Sequence, residues 1–291
     1  GIVGAPDGPP DTLPPPAGFN GGQGGGLDGG VGRGGPLGLA GGYHNGLLMM
    51  PGGFGGRSGA TREQLLKEGG GNTRSEAAVA LGLRWLSLHQ GPEGQWNLCD
   101  FAKHGKCNCG STAPATTFVG SSAPDVVGTA FALLPFLGAG ETHRPALGTT
   151  HKYDKHVSRG LKYLVLRLDR NGCFSTNMYV QGIASLALCE AYGMTADPML
   201  RGPAQRAIEF ICKAQNDRGG WDYGPRGPTP DTSIGAWQLQ ALKSGQMGGL
   251  VIPKETLQKA NRWLDDWAGD TYGSIYGDRQ PNGRQPDEGG A

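Results

Sequence analysis

This sequence is short of the features that mark nucleic-acid and membrane proteins. Its 26 basic residues are balanced by 25 acidic ones, for a formal net charge of +1. Neither sign forms a long run, so the chain lacks the basic stripe that phosphate backbones require and the cluster that anionic lipid surfaces attract. No run of 18 apolar residues occurs, so no segment reads as a bilayer-spanning helix. Strand signals are absent, which excludes a sheet. Cysteine is sparse, with six in 291 residues. Cys189 in "ASLALCEAY" and Cys212 in "AIEFICKAQ" fall within apolar helical patterns and read as small core residues. Only Cys99, Cys107 and Cys109 cluster, so cysteine usage leaves the redox compartment open. There is neither an initiator Met nor a signal peptide, and a chain opening "GIVGAP" reads as a piece of a longer polypeptide.

Glycine, by contrast, is abundant and unevenly placed. Of 55 glycines, 23 lie in the first sixty residues, with eight of the 21 prolines. Such a segment has too little apolar surface to offset the entropy of ordering. Residues 1–72 therefore read as a flexible Gly/Pro linker, stiffer at Pro14-Pro15-Pro16, and residues 281–291 as a flexible tail. The apolar "LGLAGGYHNGLLMMPGGF" within the linker is not expected to dock.

The remaining chain, residues 73–280, repeats itself. Trp85 is followed by Gln90 at five, Gly94 at nine and Trp96 at eleven. Phe210 is followed in the same way by Gln215, Gly219 and Trp221. Tyr163 is followed by Gly172 and Phe174, with Leu168 in place of the Gln, and a drifted fourth copy opens at Trp263. A period of this kind marks a repeat architecture. Each copy closes an amphipathic helix: Leu161, Leu164, Val165 and Leu168 form one stripe, as do Ala204, Ala207, Ile208 and Ile211, and Ala260, Trp263, Leu264 and Trp267. The motif Gly is expected to end the helix. Between these helices lie "DVVGTAFALLPFLG", "MYVQGIASLALCEAYG" and "DTSIGAWQLQALKSG", apolar nearly all round and therefore buried on both sides. Asp125 and Asp231 stand where N-caps belong, and Gly138, Gly193 and Gly245 where C-caps belong. Amphipathic outer helices alternating with apolar inner ones predict an all-α fold of two layers, a stack of helical hairpins curving toward an α/α toroid.

An aromatic, Gln, Gly and Trp at these offsets resemble the QW repeat of squalene–hopene cyclases and their relatives, which share a fold with protein prenyltransferase β subunits and with thioester domains of the complement family. "RAIEFICKAQNDRGGW" and "GLRWLSLHQGPEGQW" carry the likeness best. "DVVGTAFALLPFLGAGETH" and "GIASLALCEAYG" also resemble planctomycete-type squalene-cyclase-like proteins of unassigned reaction. The resemblance implies the toroid fold, with repeat units that brace the outer layer. Trp85, Gln90, Trp96, Tyr163, Phe174, Phe210, Gln215 and Trp221 are accordingly expected to be structural, the Gln amide satisfying leftover backbone groups while the aromatic packs over it. Three inner and four outer helices make only part of a ring, so the domain is expected to be truncated or completed by another copy.

The chemistries implied by that resemblance each lack a defining residue. Terpene cyclases protonate an alkene with a D-x-D-D motif; here only Asp231-Thr232 matches its end. Asp231 is the candidate acid, yet a carboxylate at a helix N-terminus has its charged form favoured by the dipole, and the simpler reading is a cap. The prenyltransferase zinc site needs a Cys two residues beyond its Asp, where Ser233 stands, and the Cys-Gly-Glu-Gln thioester run does not occur.

Two further clusters remain. Cys99, His104, Cys107 and Cys109 supply three thiols and an imidazole for a tetrahedral zinc, though the spacing fits a disulfide with a spare thiol, or three free thiols, as well. Glu141 and His143 could act as an acid–base pair or lie on the surface beyond a helix end. Tyr179, Gln181, Asp125, Asp231, Trp237 and Gln238 are expected on the inner helices, lining a cavity for an isoprenoid or other apolar ligand, or else filling a core. Two functions follow: an isoprenoid-binding or terpenoid-transforming cyclase-like protein, or a non-catalytic extracytoplasmic module on a membrane-anchored tether that binds a protein or polymer.

Overall fold

The computed structural model describes residues 54–57, 59–102, 104–106, 123–145 and 151–267. A 3-10 turn, Phe54–Arg57, precedes eight α-helices: α1 (Gly59–Glu68), α2 (Thr73–Leu88), α3 (Pro124–Gly138), α4 (Asp154–Arg167), α5 (Met178–Thr195), α6 (Pro198–Ala214), α7 (Thr232–Met247) and α8 (Lys254–Trp267). Among the described residues there is no strand, and no helix is long and apolar enough to cross a membrane.

The three apolar segments form a central row, with α5 packed between α3 and α7. Of the 18 residues of α5, 14 are buried, as expected of a helix with neighbours on every side. The amphipathic helices flank that row. α4 packs on α3 and α5, and α6 packs on α5 and α7. Their buried stripes are Val157, Gly160, Leu161, Tyr163 and Leu164 in α4, and Leu200, Ala204, Ala207, Ile208, Ile211 and Ala214 in α6. Val165 and Leu168, placed in the α4 stripe by their spacing, are only half-buried because they sit at its edge. In α8, Trp263 is buried against Gly220 and Gly235, with Leu257 and Ala260 beside it. Fully burying a Leu or Ile side chain stabilises a fold by about 1.5–3 kcal/mol, so these stripes hold the two layers together.

Local chemistry sets the helix starts. Asn72 and Ser75 form a reciprocal capping box on α2. Asn177 caps α5, and Asp197 followed by Pro198 opens α6. Asp231 caps α7 as expected. Asp125 does not cap α3: Pro124 takes the first helical position, and Asp125 lies within the first turn.

The C-terminal expectations need correcting in the same way. α5 runs past Gly193 to Thr195, and α7 runs past Gly245 to Met247. Gly193 is glycine for a packing reason, since any side chain there would collide with the Phe54 ring. The repeated helices also stop at or before the Gln position, with C-caps at His89, Leu168 and Gln215, so the motif glycine belongs to the following turn.

The linker boundary also moves. A linker through residue 72 is overturned at its C-terminal end by α1 and by the docked turn ahead of it. Phe54 is 5% exposed on the end of α5. Arg57 pairs with both carboxylate oxygens of Glu190 at 2.8 and 3.1 Å and lies over the Phe54 ring. Phe54→Ala is expected to cost about 3 kcal/mol, the usual loss for a buried aromatic, as a lowered urea midpoint. An unchanged midpoint would show that this turn is not part of the cooperative unit.

Candidate functional site

The repeated turns are the most regular feature of the molecule. In the first, Gln90 donates its amide to Gly94 O and to His156 O on α4, both at 2.9 Å. In the third, Gln215 donates to Gly219 O at 2.8 Å and to Thr256 O on α8 at 2.9 Å. The ring nitrogens of Trp96 and Trp221 donate to Leu86 O at 2.7 Å and Ile211 O at 2.9 Å, in each case the residue after the opening aromatic. Gly94, Gly172 and Gly219 have φ of 99°, 83° and 91°, a region that favours glycine. A side chain at any of them would strike the backbone carbonyl of Arg159, Arg206 or Lys259 in the next flanking helix. Arg159 reaches back to Gly91 O and Pro92 O, both at 2.8 Å.

The second turn solves its missing amide from elsewhere. Gln181, on the central helix α5, donates to Gly172 O at 2.9 Å and Ala207 O at 3.3 Å, and accepts Phe174 N–H at 2.8 Å. It is fully buried, so it lies in the interior and not on an opening. Spacing alone could not have found this tie, because the replacement lies 13 residues from Leu168.

The other inner-helix candidates share one end of the row. Asp231 Oδ1 accepts Ser233 N–H at 2.8 Å, Ile234 N–H at 3.0 Å and the Ser233 hydroxyl at 2.5 Å. Ser233 also bonds the Tyr179 hydroxyl, joining α7 to α5. The Tyr179 ring meets Tyr223 edge-on at 5.8 Å. Gln238 is fully buried and donates to Met178 O at 2.7 Å. Trp237 is half-buried and packs edge-to-face on Phe131 of α3 at 5.7 Å, so rings from the two outer members of the central row meet across α5. Asp125 accepts the Asn97 amide at 2.8 Å. Three open grooves of ≈ 460, ≈ 390 and ≈ 650 Å³ lie along the flanking helices α4, α6 and α8, and Tyr179, Gln181, Asp231, Trp237 and Gln238 line none of them.

Glu141 and His143 do not pair. Glu141 accepts Tyr153 N–H at 3.1 Å, while His143 Nε2 meets Asp197 Oδ2 at 2.9 Å. Asp197 thus caps α6 and clamps the turn after α3, with Arg144 at 3.2 Å. Its sequence signal, an Asp directly before a Pro at a helix start, was available.

Of the cysteine cluster, Cys107 and Cys109 lie outside the described residues; Cys99 carries a free, half-buried thiol, and His104 is half-buried. Among the described residues no group of three metal-ligating side chains occurs. Cys189 is fully buried as expected, but Cys212 is only half-buried and borders the groove beside Thr256. Burial pushes its thiol up to about 11, which keeps it protonated at neutral pH. Phe210 and Trp85 are half-buried, and Trp85 stacks on His89 at 3.9 Å.

No family model, no curated protein and no solved structure matches this chain.

Two outcomes follow from this geometry. Gln181→Leu is expected to cost about 2 kcal/mol through unsatisfied buried carbonyls. Leu168→Gln, nearly neutral alone, should restore part of that loss by supplying an amide at the motif position. Urea unfolding of both variants and the double checks it, and a double no better than Gln181→Leu refutes the equivalence. For Asp197, burial alone would raise the carboxyl, but bonds from His143 and Met199 N–H and the nearby Arg144 outweigh it and hold the carboxyl below its ordinary value. A folded value below the unfolded one, about 3.9, gives stability that is present above that pH and lost as pH falls through the folded value. Unfolding midpoints measured from pH 6 to pH 2 should fall below about pH 4, and Asp197→Asn should flatten that fall.

Proposed function

We propose that the chain is a non-catalytic module of the squalene-cyclase-like α/α-toroid type, an extracytoplasmic scaffold that presents its helical faces to a protein or polymer from a tether. The observation that carries this reading is the commitment of Asp231: the carboxylate of the candidate cyclase acid holds the first turn of its own helix and the Ser233 hydroxyl. The buried amides of Gln181 and Gln238 likewise bond backbone carbonyls of neighbouring elements. Groups engaged in this way maintain packing and leave few convergent polar atoms for a substrate.

A second reading, an isoprenoid or other apolar ligand on the central row, is supported by the half-buried aromatics Phe131, Tyr179 and Trp237. Fold likeness alone does not decide between them, since toroids of this type host several chemistries. Mass spectrometry of lipid extracts from protein purified from its host separates the two. The module reading expects no stoichiometric isoprenoid, and recovery of one at equimolar amount refutes it. Asp231→Ala is further expected to cost about 1 kcal/mol, as for other N-caps, with Asp231→Asn nearly neutral.

A further inference from the structure

The outer face of α4 departs from the repeat. Lys155, Arg159, Lys162 and Leu166 are all exposed and follow one another at helical spacing, so they share one face. Read along the chain these cations form no run; the helical period gathers them. Lys155, Arg159 and Lys162 stand eight, four and one residues before the opening aromatic Tyr163, and Arg167 stands four after it. The same four places in α6 hold one cation and one acid, Arg206 and Glu209, and in α8 two cations and one acid. The excess of positive charge thus belongs to α4, in a chain whose net charge is only +1.

Between this face and the first motif turn runs the open groove of ≈ 460 Å³. Arg159, Lys162 and Arg167 line it against a single acid, Glu93, whereas each of the other two grooves holds as many acids as cations. The fold holds two of the three cations in place. Arg159 is fixed over the turn by its bonds to Gly91 O and Pro92 O, and Arg167 lies 4.7 Å over the Tyr163 ring, 3.2 Å from Glu93. Lys162 joins none of the ion pairs of the described residues. Apolar surface lies among these charges: Pro92 is exposed, and Leu166 is 72% exposed.

We propose that this groove docks an extended acidic segment of a partner protein, one in which carboxylates alternate with aliphatic side chains. Its carboxylates complement Arg159, Lys162 and Arg167, and its aliphatic groups cover Leu166 and Pro92. Charge complementarity of this kind steers encounter and fixes the register of the segment. Glu93, set among the cations, opposes a polyanion of uniform charge. The inference rests on the reading of the chain as a module and narrows its partner from protein or polymer to protein.

Fluorescence anisotropy of a labelled synthetic peptide, Leu alternating with pairs of Glu, titrated with the full chain, tests this. Saturable binding is expected, weakening as salt rises to about 0.5 M. The double variant Lys155→Glu/Lys162→Glu should weaken it about tenfold, the sum of two reversed surface pairs. Its thermal unfolding should match the wild type, because both side chains are exposed. Leu166→Ser should weaken binding about fivefold, as for partly uncovering one aliphatic side chain. Lys213→Glu, at the register place of Leu166 but on α6, should leave binding unchanged. A full chain that does not bind the peptide overturns the proposal, whether the face is inert or one of the chain's own segments covers it. Binding that the double variant leaves intact, or that Lys213→Glu weakens equally, overturns it as well. Poly-glutamate bound as tightly as the peptide removes the aliphatic requirement, and heparin or duplex DNA bound more tightly at this face removes the protein partner; each refutes the proposal. An isoprenoid recovered from the lipid extract sinks the module reading instead, and the peptide titration then still reports on this face alone.

Discussion

Between each motif turn and the flanking helix behind it, a left-handed glycine lies so close to a backbone carbonyl that no side chain could intervene. That contact fixes the distance between consecutive flanking helices. The Gln amide then fixes their register, because its two donors span one carbonyl of the turn and one of the helix. A small residue next to the contact carbonyl completes the fit: Gly160 leaves room for the Trp96 ring, and Ala207 and Ala260 hold the same place in α6 and α8. A larger side chain at those positions would force off-rotamer packing in a close-packed interior. α4, α6 and α8 are thus each held at a defined spacing from the turn ahead of them.

With the flanking layer so fixed, the central helices need only fill the space, and they do so with few polar atoms. The polar residues they carry perform backbone work. Gln181 ties α5 to the second turn, Gln238 ties α7 to the start of α5, and Thr129 accepts Trp96 N–H at 3.0 Å from α3. Buried amides of this kind are costly when unpaired and specific when paired, which explains Gln positions in helices otherwise chosen for apolarity.

Much of this arrangement was legible in the sequence. The offsets of aromatic and glycine, the one-sided stripes of α4, α6 and α8, and the all-round apolarity of α3, α5 and α7 gave an all-helical fold with buried central helices and one-sided flanking ones. What escaped was spatial. Leu168 reads as a defective motif until Gln181 is brought beside Gly172 by the turn into α5. His143 finds Asp197 54 residues away, while the acid two residues from it bonds elsewhere. Helix ends were misjudged where a glycine serves close packing instead of a positive φ, as at Gly193. Asp125 falls too late to cap because Pro124 takes the first helical position and Ala123 the cap position. One apolar ring in a glycine-rich stretch carries too little pattern to announce that Phe54 docks.

The attachment at Phe54 and Arg57 has a mechanical consequence. α1 and α2 follow that attachment in the chain, yet α2 makes far fewer contacts with the central row than α5 does. Tension arriving from the N-terminal side would therefore reach α5, the most enclosed helix, through a buried ring and a two-pronged ion pair before it stretched α1 or α2. The load path bypasses the weakest-packed part of the molecule and leaves it slack, as a strain relief does for a cable.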